Sequence, residues 1–315
     1  MLKKISSYTF ALVALILLNS CKKEYESIES IDNTKIQNYI TSNNITNAVE
    51  DPDKTGFYYQ VVNEGTGEFF RADGTPDSVL YTLTVKSLLN GTSYYTTSAI
   101  SNFGTYVGYA SVLSYSSSER ALSLPSLRTV LQKLKPGGSA KIFLPSYLAF
   151  GKNGSVALNV PSNDNIELTV TTYTQKSQRA LDDKRITDYL AAKGLTATKD
   201  PGTGVYYSVI QTGTGDKIAN LESTIKANYT GRYFDGSVLD SSTDGTFSTD
   251  LLSVVPGWQL LAELPEAKKG AKLRLFIPSS EAYGSAGSTN QSTGQEVVPP
   301  NVCLDFDIEI LEVTN

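Results

Sequence analysis

A chain that carries one pattern twice is expected to fold twice. Ile36, Tyr39 and Ile40 recur as Ile186, Tyr189 and Leu190 at an offset of 150 residues. Asp51-Pro52 recurs as Asp200-Pro201, Tyr58-Tyr59 as Tyr206-Tyr207, and Gly65-Thr66-Gly67 as Gly213-Thr214-Gly215, the last two at an offset of 148. Four matches in one order are a poor product of chance, so the pattern predicts a tandem duplication of one domain type. The length agrees: single hydrophobic cores stop growing near roughly 250–300 residues, and this chain has 315.

Within each copy the periodicities predict an α+β unit. Ile-x-x-Tyr-Ile and Ile-x-x-Tyr-Leu place apolar residues on one helical face, behind candidate caps at Asp32-Asn33 and Asp182-Asp183, and Gly194 is a natural stop for the second helix. Strands are expected where apolar residues alternate: at Val79, Tyr81, Leu83 and Val85, at Ile225, Ala227 and Tyr229, at Leu273, Leu275 and Ile277, and at Leu304, Phe306, Ile308 and Ile310. Such alternation marks half-buried, mostly antiparallel strands. Asn90-Gly91, Asp235-Gly236 and the Ser- and Gly-rich run from Ser285 to Gly294 supply turns. Residues 175–179 read either as a hinge or as the start of a packed helix.

The N-terminus says where such a protein belongs. Lys3 and Lys4 precede an apolar run from Phe10 to Leu18, about half of the roughly 20 residues a spanning helix needs, which reads as a signal peptide over residues 1–20. The run ends in Leu18-Asn19-Ser20-Cys21, which resembles the bacterial lipobox. A lipid on Cys21 would hold the protein on a membrane, with residues 21–31 as tether; the alternative is a plain secretory signal that contains a cysteine. Lys22, Lys23, Glu24, Tyr25 and Glu26 follow with no Asp beside the cysteine, a pattern similar to outer-membrane lipoproteins, and to the surface-export signals of some Bacteroidetes lipoproteins. The expected location is therefore the outer membrane, on its periplasmic or surface face.

Composition narrows the chemistry. Lys and Arg number 27 against 32 Asp and Glu, so no basic surface for nucleic acid is expected. The chain has no His, which excludes serine-histidine and cysteine-histidine catalysis, and its two Cys cannot build a zinc cluster. With Cys21 lipidated, Cys303 has no disulfide partner and reads as a small buried hydrophobe.

Residues 225–311 contain five landmarks in order: Tyr229-Thr230-Gly231 at a strand end, Gly236 followed by Leu239-Asp240-Ser241-Ser242, Gly257-Trp258 opening a short helix, Ile277-Pro278 followed by Ala282-Tyr283-Gly284, and Val298-Pro299-Pro300-Asn301 before a strand bearing Phe306. This series resembles the FKBP-type peptidyl-prolyl isomerases. The resemblance implies two tandem domains, each a twisted antiparallel sheet curled around a short helix and preceded by an N-terminal helix: a degenerate copy over residues 32–176 and an isomerase copy over 177–315. It also implies an active bowl between helix and sheet. Tyr229, Asp240 and Tyr283 would be its catalytic polar groups, and Phe247, Val254, Val255, Trp258, Val298 and Phe306 its substrate-binding wall. No metal and no cofactor is implied.

The chemistry such a bowl performs suits those residue types. Rotation about an imide bond meets a barrier of about 18–20 kcal/mol, because the planar form is resonance-stabilised. A catalyst must therefore favour the twisted form, and this needs no covalent step. By the resemblance, Trp258 floors the prolyl pocket, the Tyr283 hydroxyl reaches the substrate carbonyl, and Asp240, bonded near Tyr229, orients the rim. Asp240 and Tyr283 are further favoured as functional because a carboxylate buried without purpose is costly. Two departures lower the expected activity: the family's aromatic before the Asp is Leu239 here, and its second aromatic after Phe247 is Thr249.

The first copy matches weakly. Aligned on the glycine turn, Thr84 stands where Tyr229 does and Tyr95 where Asp240 does, the Trp position falls near Leu124–Leu127, and Phe150 lacks the hydroxyl of Tyr283. Its Tyr- and Ser-rich stretch from Tyr94 to Ser118 is either a binding surface or an ordinary edge strand and loop. The expected function is isomerisation of Xaa-Pro bonds in polypeptides folding outside the cytoplasm, with macrolide binding by the same bowl as a corollary. The alternative is a non-catalytic, lipid-anchored protein-binding or scaffolding module.

Overall fold

The computed structural model describes residues 26–107, 112–113, 122–215, 217–218, 220–290, 292 and 296–315. The expected signal peptide, Cys21 and the first part of the tether lie outside the described residues, as do residues 108–111 and 114–118 of the stretch from Tyr94 to Ser118.

Two halves follow one another. The first contains helix α1 (Ile28–Ser42), strands β1 (Val49–Glu50), β2 (Tyr58–Asn63), β3 (Ser78–Ser87), β4 (Ser93–Thr96), β5 (Phe103–Tyr106), β6 (Val112–Leu113) and β7 (Leu122–Ser123), helix α2 (Pro125–Leu131), β8 (Ser139–Leu144) and β9 (Ile166–Thr172). The second contains helix α3 (Gln178–Lys193), β10 (Thr198–Lys199), β11 (Tyr206–Gln211), β12 (Thr224–Tyr233), β13 (Val238–Ser242), β14 (Ser248–Asp250), β15 (Lys272–Ile277), β16 (Ser288–Thr289), β17 (Glu296–Val298) and β18 (Leu304–Thr314). Their main sheets have one topology: β1-β2-β8-β9-β3-β4 with β5 on β3, and β10-β11-β15-β18-β12-β13 with β14 on β12. Every pairing between these strands is antiparallel.

The alternation seen in the sequence sets two layers in each half. Val79, Tyr81, Leu83 and Val85 turn inward to a core shared with Leu127, Leu131 and Val170. Ile225, Ala227, Leu275, Phe306 and Ile308 do the same around Trp258 and Leu261. The other face is covered by the N-terminal helices: Ile36 packs with Leu88 and Phe143, and Ile186 and Tyr189 pack with Phe276 and Cys303. Cys303 is buried, in keeping with its reading as a small buried hydrophobe.

The helix starts differ from the sequence reading. Ser27 and Ser177 cap α1 and α3, each accepting from the backbone N–H three residues on. The expected tether thus gives way to helix from Ile28, and residues 175–179 end in a capped, packed helix. Asp32 and Asp182 lie inside the helices, at 0% and 1% exposure. Asp32 Oδ2 accepts from the Ser146 N–H (2.8 Å) and Oγ (2.6 Å), and Asp182 Oδ2 accepts from the Ser279 N–H (2.9 Å) and Oγ (2.6 Å). Each ties a helix to the turn after β8 or β15. Asp305, a polar position of the alternating last strand, is likewise buried beneath α3, held by Arg274 at 2.6 and 2.8 Å and by the Tyr189 hydroxyl at 2.9 Å.

Candidate active site

The bowl is built on the inner face of the second sheet. β12 brings Tyr229, β18 brings Phe306, the segment before β14 brings Phe247, and a 3₁₀ helix over Pro256–Ala262 raises Trp258. Pro256 suits the first turn of that helix, where no N–H is needed. Two glycines allow the layers to meet. A Cβ on Gly231 would sit 2.4 Å from Phe306 Cε1, and one on Gly257 would sit 2.5 Å from Ile277 Cγ2. The Tyr-Thr-Gly and Gly-Trp motifs therefore have a steric cause.

Four rings meet here. Tyr229 and Trp258 lie edge to face with centroids 5.5 Å apart, as do Trp258 and Phe306, while Phe247 stands 4.7 Å from Tyr229 and 6.2 Å from Trp258. These are favourable aromatic geometries. Trp258 is 2% exposed, and its Nε1 has no hydrogen-bond partner among the described residues. Val298 is buried nearby, and Val254, Val255 and Tyr283 pack half-buried against the same cluster. All the expected wall residues thus gather in one place.

The polar rim gathers with them. The Tyr229 hydroxyl donates to Asp240 Oδ2 at 2.5 Å, and Asp240 Oδ1 accepts from the Ser241 N–H at 2.8 Å. Burial, and then the Asp240 carboxylate, push the Tyr229 phenol well above its ordinary value. Burial also raises Tyr283, with Asp240 adding to the shift. The Tyr283 hydroxyl makes no hydrogen bond among the described residues. One expectation fails: Asp240 is exposed rather than buried, so desolvation is no argument for its role, and its bond to Tyr229 carries that argument instead. Leu239 is half-buried against the cluster, and Thr249 sits on β14 with its hydroxyl on the Asp250 carbonyl at 2.8 Å.

The first half has aliphatic groups at three of the ring positions of the second, those of Tyr229, Trp258 and Phe306. Leu83 pairs with Val170 as Tyr229 pairs with Ile308, and Val85 pairs with Leu168 as Gly231 pairs with Phe306. The counterpart of Tyr229 is therefore Leu83 and not Thr84. Alignment on the glycine turn slipped by one residue, which moves a side chain to the opposite face. Tyr95 does occupy the Asp240 position, since it pairs with Val85 as Asp240 pairs with Gly231. Leu127 follows Pro125 as Trp258 follows Pro256, and Phe150 stands at the Tyr283 position, just after the turn's last residue in both halves. Phe103 keeps the place of Phe247.

A twisted antiparallel sheet holding a short helix and an aromatic bowl defines the class of the second half. Residues 215–311 match the family model of the FKBP-type peptidyl-prolyl cis-trans isomerases, and this span holds every wall and rim residue named above. The C-terminal part of the chain is thus an FKBP-type domain. Among relatives, it is 38% identical over 117 residues to the FKBP-type isomerase FkpA of Escherichia coli K12, covering 36% of this chain and 40% of that protein. It is 33% identical over 127 residues to the peptidyl-prolyl isomerase Mip of Coxiella burnetii, covering 39% of this chain and 50% of that protein. The crystal structure of FkpA from Escherichia coli aligns with a TM-score of 0.35 at 34% identity, over 44% of this chain and 59% of that one. The chain thus spans half or less of the length of these two sequence relatives.

Proposed function

We propose that this protein is a peptidyl-prolyl cis-trans isomerase whose site lies in the second half and whose substrates are proline-containing polypeptides folding outside the cytoplasm. The observation that carries this reading is the bowl itself: three rings around a buried indole, with the Tyr229–Asp240 pair and the Tyr283 hydroxyl, unbonded among the described residues, on its rim. The rings hold the prolyl side chain, Tyr283 donates to the substrate carbonyl, and the Asp240 carboxylate faces the dipole of the twisted imide. Exclusion of water from the bowl disfavours the polar planar amide relative to the twisted one. Uncatalysed exchange takes tens to hundreds of seconds, so a catalyst is useful wherever chains fold. The same bowl is the binding site we assign to macrolide inhibitors.

The first half, with Leu83, Val85, Leu127 and Leu168 filling the equivalent space, acts as a non-catalytic partner domain. Cys21 carries the lipid that places both on the outer membrane; no described helix is long and apolar enough to cross a membrane. Radiolabelled palmitate incorporation that is lost in Cys21→Ser tests the anchor. The departures at Leu239 and Thr249 favour one second reading, a lipid-anchored binding module that keeps the bowl without turnover. Exchange NMR on a short Xaa-Pro peptide decides between them. Faster cis-trans exchange that disappears in the Tyr283→Phe, Asp240→Val double variant supports the isomerase. Peptide shifts without accelerated exchange support the binding module.

A further inference from the structure

The segment joining β4 to β5, residues 97–102, leaves the first half and lies against the second. It starts from a fixed point: the Leu83 N–H donates to the Thr97 hydroxyl at 2.9 Å, and the Thr97 N–H donates to the Leu83 carbonyl at 2.9 Å. A turn then follows, closed by the Ser101 N–H on the Ser98 carbonyl at 3.0 Å. Ile100 packs against the core around Trp258, and Ser101 and Asn102 are buried, at 3% and 0% exposure.

This loop grips the frame of the bowl. The Ser101 hydroxyl donates to the Pro300 carbonyl at 2.7 Å, and Asn301 Nδ2 donates to the Asn102 carbonyl at 2.9 Å. Arg185 closes the contact from α3, donating to the Asn301 carbonyl at 3.0 Å, the Ser101 carbonyl at 3.1 Å and the Tyr173 hydroxyl at 3.2 Å. Pro300 and Asn301 belong to the turn that carries the wall residue Val298, and the Asn301 N–H donates at 2.9 Å to the carbonyl of Gly284, the residue after Tyr283. A second route reaches the other side of Tyr283. The Asn102 and Gln178 side-chain amides exchange hydrogen bonds at 2.8 and 3.3 Å, Gln178 Nε2 also donates to Asp182 Oδ1 at 2.7 Å, and Asp182 holds the N–H and hydroxyl of Ser279.

The first half shows what the loop adds. Its matching turn, Val160–Asn163, repeats the geometry: Asn163 and Asn301 have φ of 55° and 58°, and the Asn163 N–H donates to the Gly151 carbonyl at 2.9 Å as the Asn301 N–H does to Gly284. Yet the Asn163 side chain is exposed and makes no hydrogen bond among the described residues, whereas Asn301 is 5% exposed. The turn therefore forms without help, and the loop contributes restraint. Buried polar networks whose members are paired fix one arrangement of the segments they join, and a binding site is only as exact as the groups that hold its contact residues.

We propose that the β4–β5 loop of the first half is a positioning element of the prolyl bowl: through Ser101 and Asn102 it fixes the turns that carry Val298 and Tyr283. The inference rests on the bowl as the prolyl site, with or without turnover. The first half, which has no such bowl of its own, thereby shares in the site of the second.

The test is an NMR titration of the full chain with a capped Ala-Phe-Pro-Ala peptide, whose line shapes give Kd and the bound-state cis-trans exchange rate separately. Ser101→Ala deletes the donor to Pro300. Asn301→Gly deletes the amide to Asn102 while keeping the left-handed backbone and the N–H to Gly284. Each is expected to raise Kd about two- to tenfold, the range spanned by the net contribution of one hydrogen bond, and to shift the Tyr283 and Gly284 amide signals before peptide is added. Asn163→Gly, the same change on the exposed turn, leaves Kd and these signals as they were. A urea midpoint followed at Trp258 separates packing from positioning: a midpoint lowered by Ser101→Ala with Kd unchanged makes the loop a stabilising contact alone and overturns the proposal. So does a tighter Kd in either variant, which makes the loop a competitor for the bowl. A parent chain that binds the peptide without accelerating its exchange overturns the isomerase reading and leaves the Kd comparison to decide on the loop. A parent that binds no peptide at several millimolar overturns both.

Discussion

Replacing Asp182 by Ala removes the acceptor that joins α3 to the turn leading into Tyr283. Asp182 Oδ2 receives the Ser279 N–H at 2.9 Å and its hydroxyl at 2.6 Å, and Oδ1 receives Gln178 Nε2 at 2.7 Å. Ser279 is 1% exposed, so its N–H finds no water when the carboxylate goes. An unsatisfied buried group costs about 1–3 kcal/mol, and the hydroxyl adds to this. Part is recovered because burial penalises the charged carboxylate and raises Asp182 above its ordinary value. The net expectation is a loss of about 2–3 kcal/mol. With m-values of about 1–3 kcal/mol/M, that moves a urea midpoint by roughly 1 M. The single Trp258 reports the second half alone, which avoids fitting two domains to one transition. Asp182→Asn keeps an oxygen acceptor for Ser279 and should lose about 1 kcal/mol or less. An unchanged midpoint in Asp182→Ala refutes the tie; equal losses in the two variants show that charge, and not hydrogen bonding, holds the helix.

Three other expectations follow from the site and its tyrosines. Gly231→Val puts a side chain where the Phe306 ring lies, at a cost of about 1–3 kcal/mol from overpacking, and should shift Trp258 fluorescence and abolish prolyl turnover; a fully active variant overturns the steric account of that glycine. Leu239→Phe adds an aromatic to the bowl wall and should tighten binding of a prolyl peptide several-fold, worth about 1 kcal/mol, measured by peptide titration; an unaltered or weaker Kd excludes the wall as its location. Burial and hydrogen-bonded acids hold the Tyr39 and Tyr206 phenols up at about 12, and burial does so for Tyr81. Between pH 10 and 12 the unfolded chain therefore releases protons that the fold retains, so the stability these groups contribute is present below pH 10 and lost as pH rises through about 12. A urea midpoint that stays level from pH 9 to 11.5 contradicts this.

The repeat and the period-2 strands were legible because both are local patterns whose meaning survives without coordinates. Asp32 and Asp182 were misread because an acid at the head of an apolar run looks like a cap, while their real partners, Ser146 and Ser279, are 114 and 97 residues away. Distance along the chain also hid the burial of Asp305, since nothing around it announces that Arg274 and Tyr189 converge there. The slip from Leu83 to Thr84 has a different origin. Both hairpins carry a register shift, at Val85/Lys86 and at Gly231/Arg232, and ten residues separate Val85 from Tyr95 where nine separate Gly231 from Asp240. Counting from the turn cannot detect an extra residue absorbed by a hairpin. The residues expected for the wall and rim come together in the fold because ordered motifs along one span named them.

Why the first half kept the frame and not the bowl follows from what each kind of residue does. The frame is held by polar ties that join distant segments: Asp32 to Ser146, Tyr39 to Glu167 at 2.8 Å, and the Asn163 N–H to Gly151. Removing one member of such a tie leaves a buried donor or acceptor unsatisfied, so change there is opposed by the fold itself. The bowl is opposed by nothing of the kind. Exchanging rings for Leu83, Leu127 and Leu168, and placing Val85 where the second half has Gly231, preserves apolar volume, and cores tolerate volume-conserving apolar exchanges at a cost of about 1.5 kcal/mol or less. The open wall for a prolyl ring thus closes into ordinary core without threatening the sheet. Loss of the bowl therefore says nothing against a retained surface role for the first half.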